Sequence, residues 1–174
     1  MADFDRILKF TLGVEGGFSN LRGDPGGATQ WGITHYEYDS WRTRHGLPLQ
    51  PVTGMTETEM KAIYREDYWD PHRCDEMSDA WALAIFDAAV NLRAGESVKL
   101  AQGALYAAGA YESAIDGVVG PATLAAMNAH PELAEQAAIW RYGYHVAETN
   151  PIYLHGLINR VRHEISTLKS WNDA

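Results

Sequence analysis

Three residues stand at spacings that suit acid–base chemistry: Glu15, Asp24 and Thr29. Glu15 follows a run, Asp3 to Val14, in which Phe4, Ile7, Leu8 and Thr11 recur at helical spacing. The next position on that face is Glu15 itself, so its carboxyl continues an apolar stripe, and Gly16-Gly17 stops the helix behind it. The negative end of a helix dipole and burial both penalise the charged form, which raises the expected pKa. A carboxyl that keeps its proton near neutral pH is what a general acid requires. The commoner alternative is a helix-end Glu that snorkels to water. Asp24-Pro25-Gly26-Gly27 is a tight turn able to fold a second carboxylate back toward the helix end, though an Asp there more often serves the turn alone. Two carboxyls across a cleft are the minimal equipment for glycoside hydrolysis: one protonates the leaving oxygen, the other manages a water or the oxocarbenium charge. The Thr29 hydroxyl beside the second acid would hold that water, with Gln30 and Thr34 as candidate substrate contacts.

The elements that must position these groups read as mostly helical. Phe18 to Thr34 is rich in Gly, Asp, Asn and Pro and closes on the strand-like Gln30-Trp31-Gly32-Ile33-Thr34, a loop with one small hairpin. A short helix is predicted over His35 to Arg44. Thr56-Glu57-Thr58-Glu59 reads as a capping box opening a helix through Tyr68. Ser78 caps Asp79 to Leu92, which is apolar nearly all round and therefore buried. Glu96 to Ala108 is helical, Asp116-Gly117 is a turn, and Pro121 suits the first position of the next helix. Leu133, Ala137, Trp140 and Tyr144 line another helix; Leu154, Ile158, Val161, Ile165 and Leu168 line the last. Arg160, Arg162 and Lys169, with Glu164 and Asp173 nearby, read as a solvated face of that helix. The expected architecture is one compact, mainly α domain over residues 1–174, with a catalytic part at 1–92 and a helical C-terminal part at 93–174.

Glu15-Gly16-Gly17-Phe18-Ser19-Asn20, followed by Asp24-Pro25-Gly26-Gly27-Ala28-Thr29-Gln30-Trp31-Gly32-Ile33-Thr34, closely resembles glycoside hydrolase family 108. These are N-acetylmuramidases, many of them bacteriophage endolysins, marked by a Glu-Gly-Gly-(Tyr/Phe) motif. The resemblance implies a lysozyme-like helical domain with a small β-hairpin or loop carrying the active site, and it implies Glu15 as the catalytic acid. The acid, acid, threonine order is also similar to phage-type lysozymes, which place one more residue before the threonine; the pairing of Asp24 with Thr29 is inferred from spacing. Tyr64-Arg65-Glu66-Asp67-Tyr68-Trp69-Asp70-Pro71 resembles the family's Tyr-Trp-x-Pro segment and adds Tyr68 as a substrate-binding candidate. Phe86-Asp87-Ala88-Ala89-Val90-Asn91 resembles its Phe-Asp-x-x-Val-Asn helix. There Asp87 and Asn91 either touch sugar or brace the hairpin loop or the first helix. Asp116 to Thr123 is similar to a signature of peptidoglycan-binding modules, although turn chemistry accounts for each of its residues. Leu92-Arg93 and Leu157 depart from the family's usual residues, away from the catalytic loop.

Composition narrows the alternatives. A net charge of −9 and no basic stripe argue against nucleic acid. No apolar run is long enough to cross a membrane, and the N-terminus has no export signal, so synthesis in a host cytoplasm and assisted release to the wall are expected. The single Cys74 excludes an internal disulfide, and His72 with Cys74 lacks a second pair at ligand spacing, so no metal and no cofactor are expected. There is no His-Glu-x-x-His helix and no nucleophile elbow, which sets aside zinc peptidases and serine hydrolases. The expected partner is bacterial peptidoglycan, the expected state a monomer. Three functions stay open: a muramidase, a lytic transglycosylase with a single Glu, and a non-catalytic wall-binding or secretion-accessory protein.

Overall fold

Helix α1 runs Phe4–Glu15, with Ile7, Leu8 and Thr11 buried and Phe4 half-buried. The stripe read from the sequence is therefore the inner face of this helix, and Glu15 is its last residue. The structure, a computed structural model, describes residues 2–15, 29–92, 95–148 and 151–172. The chain divides into two compact units, Leu8–Tyr68 and Met1–Ile7 with Trp69–Ala174.

In the Leu8–Tyr68 unit, β1 (Thr29–Gln30) pairs antiparallel with β2 (Ile33–Thr34), Thr29 opposite Thr34 and Gln30 opposite Ile33. The two-residue loop between them places Trp31 at φ 49° and Gly32 at φ 77°, the left-handed pair that suits a tight hairpin. Glycine adopts this freely; for Trp31 it costs on the order of 1 kcal/mol or more. Helix α2 (His35–Arg44) follows directly, with Thr34 as its N-cap and Glu37 closing a capping box. Helix α3 (Glu57–Tyr64) opens on the box Thr56/Glu59 that the sequence predicts. Its α-helical bonding ends at Tyr64 rather than Tyr68, and Arg65–Trp69 continues as a π-helical turn. Such turns are frequent at functional sites. Arg42, buried, ties α2 to its surroundings: its guanidinium donates to Tyr38 Oη (2.8 Å) and to the Pro48 carbonyl (2.6 Å), and it pairs with Glu59.

In the other unit, α4 (Asp79–Asn91) starts at the N-cap Ser78, and residues 80 to 89 are all buried, as its all-round apolar pattern requires. It packs against α5 (Glu96–Ala107), α7 (Ala134–Glu148) and α8 (Pro151–Asn172), while α6 (Pro121–Ala129) begins on its proline. Phe4, Trp69 and Phe86 meet edge to face, with ring centroids 5.0–6.1 Å apart. Two sequence expectations are corrected here. The buried face of α7 is not Trp140 and Tyr144; it runs through Ala134, Ala137, Ala138, Arg141 and His145, and Trp140 is 38% exposed. On α8, Arg160 and Glu164 are not on a solvated face but are 3% and 0% exposed. The physical reason is a charge cluster with Asp87. Arg160 reaches Asp87 with Nε (2.8 Å) and a terminal nitrogen (2.5 Å), and Arg141 bridges Asp87 (2.8 Å) and Glu164 (2.7 Å). Paired with Asp87, the Arg141 and Arg160 charges can be buried where a lone one could not, and Glu164 joins them through its bond from Arg141.

Candidate active site

The candidate residues fall in both units, and most lie in Leu8–Tyr68. Glu15 ends α1, four residues beyond the buried Thr11 and eight beyond the buried Ile7, so its Cα continues their face. Asp24 lies outside the described residues. Thr29 and Gln30 form β1 and are half-buried.

A strand pair this short has little stability of its own, and side-chain bonds at both ends brace it. Tyr64 Oη donates to the Trp31 carbonyl at the hairpin tip (2.7 Å). At the other end, Thr34 donates its backbone N–H (2.8 Å) and its hydroxyl (2.9 Å) to Glu37 Oε2. Tyr68 Oη donates to the second oxygen, Glu37 Oε1 (2.9 Å). Burial, and then the Glu37 carboxylate beside it, push the Tyr68 phenol above its ordinary pKa, so it serves as a donor and stays protonated. The structure thus links Thr34 and Tyr68 through Glu37 and sets Thr29 opposite Thr34 in the strand pair. The linking residue, Glu37, was missed in the sequence reading. The signal was present: Thr34-x-x-Glu37 is a capping-box pattern, the same one read correctly at Thr56.

A second tyrosine–glutamate pair lies deeper in this unit. Tyr38 Oη donates to Glu59 Oε2 (3.0 Å), which also caps α3. Burial pushes the Glu59 carboxyl up, but bonds from Thr56 and Tyr38 and the Arg42 charge outweigh it and hold the group below its usual value. Glu37 has no such cation beside it among the described residues.

Asp87 and Asn91 belong to the other unit. Asp87 is fully buried, with both carboxylate oxygens held by the two arginines; burial opposes its ionisation, and the Arg141 and Arg160 charges overcome that and hold it low, at about 2. Asn91 donates its side-chain amide to the Asp87 carbonyl one turn back (3.0 Å). These described contacts run to α7, α8 and within α4, not to the hairpin loop or the first helix. The Asp116 to Thr123 segment folds around Gln102, which is fully buried. Gln102 Nε2 donates to Asp116 Oδ1 (2.9 Å) and its Oε1 accepts the Gly117 N–H (2.9 Å), while Asp116 also accepts from Val118 N–H (2.9 Å). The polar atoms of that signature are therefore engaged in turn chemistry.

Among the described residues no group of three or more His, Cys, Asp and Glu side chains gathers at metal-binding distance, and no helix is long and apolar enough to cross a membrane.

Comparison with known proteins adds a family to this geometry. The sequence model of the family described as Glycosyl hydrolase 108 matches residues 8–92, which include α1 from Leu8, the hairpin, α2, α3 and α4. The solved structure of Brucella abortus SagA is similar over nearly the whole chain, with TM-score 0.78 and 25% identity, covering 96% of this chain and 94% of that one. Its likeness agrees with a mainly helical, lysozyme-like fold that carries one small antiparallel hairpin. No curated protein matches the sequence.

Proposed function

We propose that this protein, whose residues 8–92 match the glycosyl hydrolase 108 family model, is a muramidase acting on bacterial peptidoglycan. It cuts the β-1,4 bond between N-acetylmuramic acid and N-acetylglucosamine. Glu15 protonates the bridging oxygen, and Asp24, helped by the Thr29 hydroxyl, activates a water on the opposite face of the ring. The supporting observation is the position of Glu15: the last residue of a helix whose face, Ile7, Leu8 and Thr11, is buried. That placement opposes a negative charge at the helix end and suits a carboxyl that must start the reaction protonated. Gln30 lies next to Thr29 in the same strand and is the nearest candidate in sequence for a substrate amide or hydroxyl contact.

The test is the chemistry of the product. Purified wall fragments digested by the protein should yield muropeptides with reducing N-acetylmuramic acid ends, released first as the inverted anomer, as expected for water delivered by a second carboxylate. A 1,6-anhydro product would instead establish a transglycosylase with one working acid, and intact fragments would leave a wall-binding role.

A further inference from the structure

We infer that Glu37 and Tyr68 are positioning residues for the Thr29 strand, an inference that rests on the muramidase reading above. A capping box needs one carboxylate oxygen for the N-cap residue. In this box Oε2 takes both Thr34 donors, and Glu37 N–H returns a bond to Thr34 Oγ1 (3.2 Å). Oε1 is not needed for the cap, yet it is engaged by Tyr68 (2.9 Å). Thr34 is the cross-strand partner of Thr29. A continuous path therefore runs from the π-helical turn through Tyr68, Glu37 and Thr34 to Thr29, while Tyr64 pins the loop at the far end through Trp31. The pin acts on a residue held at positive φ, so the hairpin tip is fixed in a conformation Trp31 would not choose by itself. Tyr68, a substrate-binding candidate from the sequence, donates its hydroxyl to this support.

The molecule contains its own control. Glu59 closes the other capping box with the same threonine bonds and likewise takes a tyrosine, Tyr38, but its extra partner is Arg42 and its bonds join α2 to α3 without touching the hairpin. The two boxes differ in what they hold, and only one of them leads to Thr29.

The experiment measures kcat, KM and the unfolding midpoint on soluble peptidoglycan oligomers for wild type, Tyr68→Phe, Glu37→Gln and Tyr38→Phe. Tyr68→Phe should lower kcat about tenfold or more at unchanged KM, the scale expected when a reacting group is slightly misplaced, with only a small fall in midpoint. Glu37→Gln should lose at least as much, since an amide offers one acceptor oxygen where three donors converge. Tyr38→Phe should lower the midpoint at least as far while retaining kcat well below it. Should Glu37→Gln fail to fold, Tyr68→Phe decides alone. Unchanged kcat in active Tyr68→Phe overturns the inference and leaves the hydrolase reading standing. A rise in KM at constant kcat also overturns it, making Tyr68 a direct substrate contact. Equal kcat losses in Tyr68→Phe and Tyr38→Phe reduce the effect to destabilisation and overturn it too. A wild type that releases no product overturns the hydrolase reading and this inference together.

Discussion

The Leu8–Tyr68 unit and the helical unit use charge in opposite ways. In the first, carboxylates sit at helix ends: Glu37 is half-buried at the start of α2 and Glu15 closes α1. In the second, Asp87, Arg141, Arg160 and Glu164 lie inside the helix packing with 3% exposure or less. A buried charge with fixed partners resists change and contributes to one defined packing; a carboxyl at an element's end can meet a substrate and exchange a proton. The difference teaches that residues of the same type and similar motif status, Asp87 and Glu15, should fail in different currencies when mutated.

The largest expected effect is on the helical side. Asp87→Ala removes the carboxylate that the buried Arg141 and Arg160 guanidinium groups share and should destabilise the protein by about 3–5 kcal/mol in denaturant titrations. The folded fraction should keep its kcat. Loss of activity with stability intact would move Asp87 to the substrate and erase the contrast between the units.

A smaller, graded effect is expected from pH. Burial, then the Arg141 and Arg160 charges, lower His145 to about 4, so its contribution is complete above its ordinary 6.5 and is lost as pH falls toward 4. Glu164 is pushed up to about 8, first by burial and also by Asp87, against the pull of Arg141 and Arg160. Its contribution is complete below its ordinary 4.5 and is lost as pH rises toward 8. Stability should therefore be greatest between the two ordinary values and decline on both sides in thermal scans across pH. Glu164→Gln should flatten the alkaline limb alone; an unchanged limb would assign that slope to other groups.

Local signals were legible in the sequence, and distant ones were not. The helix His35–Arg44, the Thr56 box, the Ser78 cap and the proline start of α6 depend on neighbours within a turn, and the structure places them where the residues say. The helix after Thr56 turns π-helical at Arg65, where no Gly or Pro marks the change and where Tyr64 bonds back to the hairpin and Tyr68 to Glu37 of α2. The burial of Arg141 and Arg160 is decided by Asp87, 54 and 73 residues away, so helical periodicity alone assigned α7 an apolar stripe it does not have and α8 a wet face it does not have. At the candidate site, the helix-end position of Glu15 was legible because it is set by the preceding turns of α1. Glu37 could have been found from Thr34 by the capping rule, but its second partner, Tyr68, is 31 residues off and has no local signature.

The placement of chemistry at the end of α1 is tested most directly by Glu15→Gln, assayed for muropeptide release and for its unfolding midpoint in the same buffer. Removing the general acid should lower kcat by about 10²–10⁴-fold. Removing a charge opposed by the helix dipole should leave the midpoint no lower than wild type. Wild-type activity in Glu15→Gln, or a large drop in its midpoint, would contradict the account and make Glu15 a structural residue.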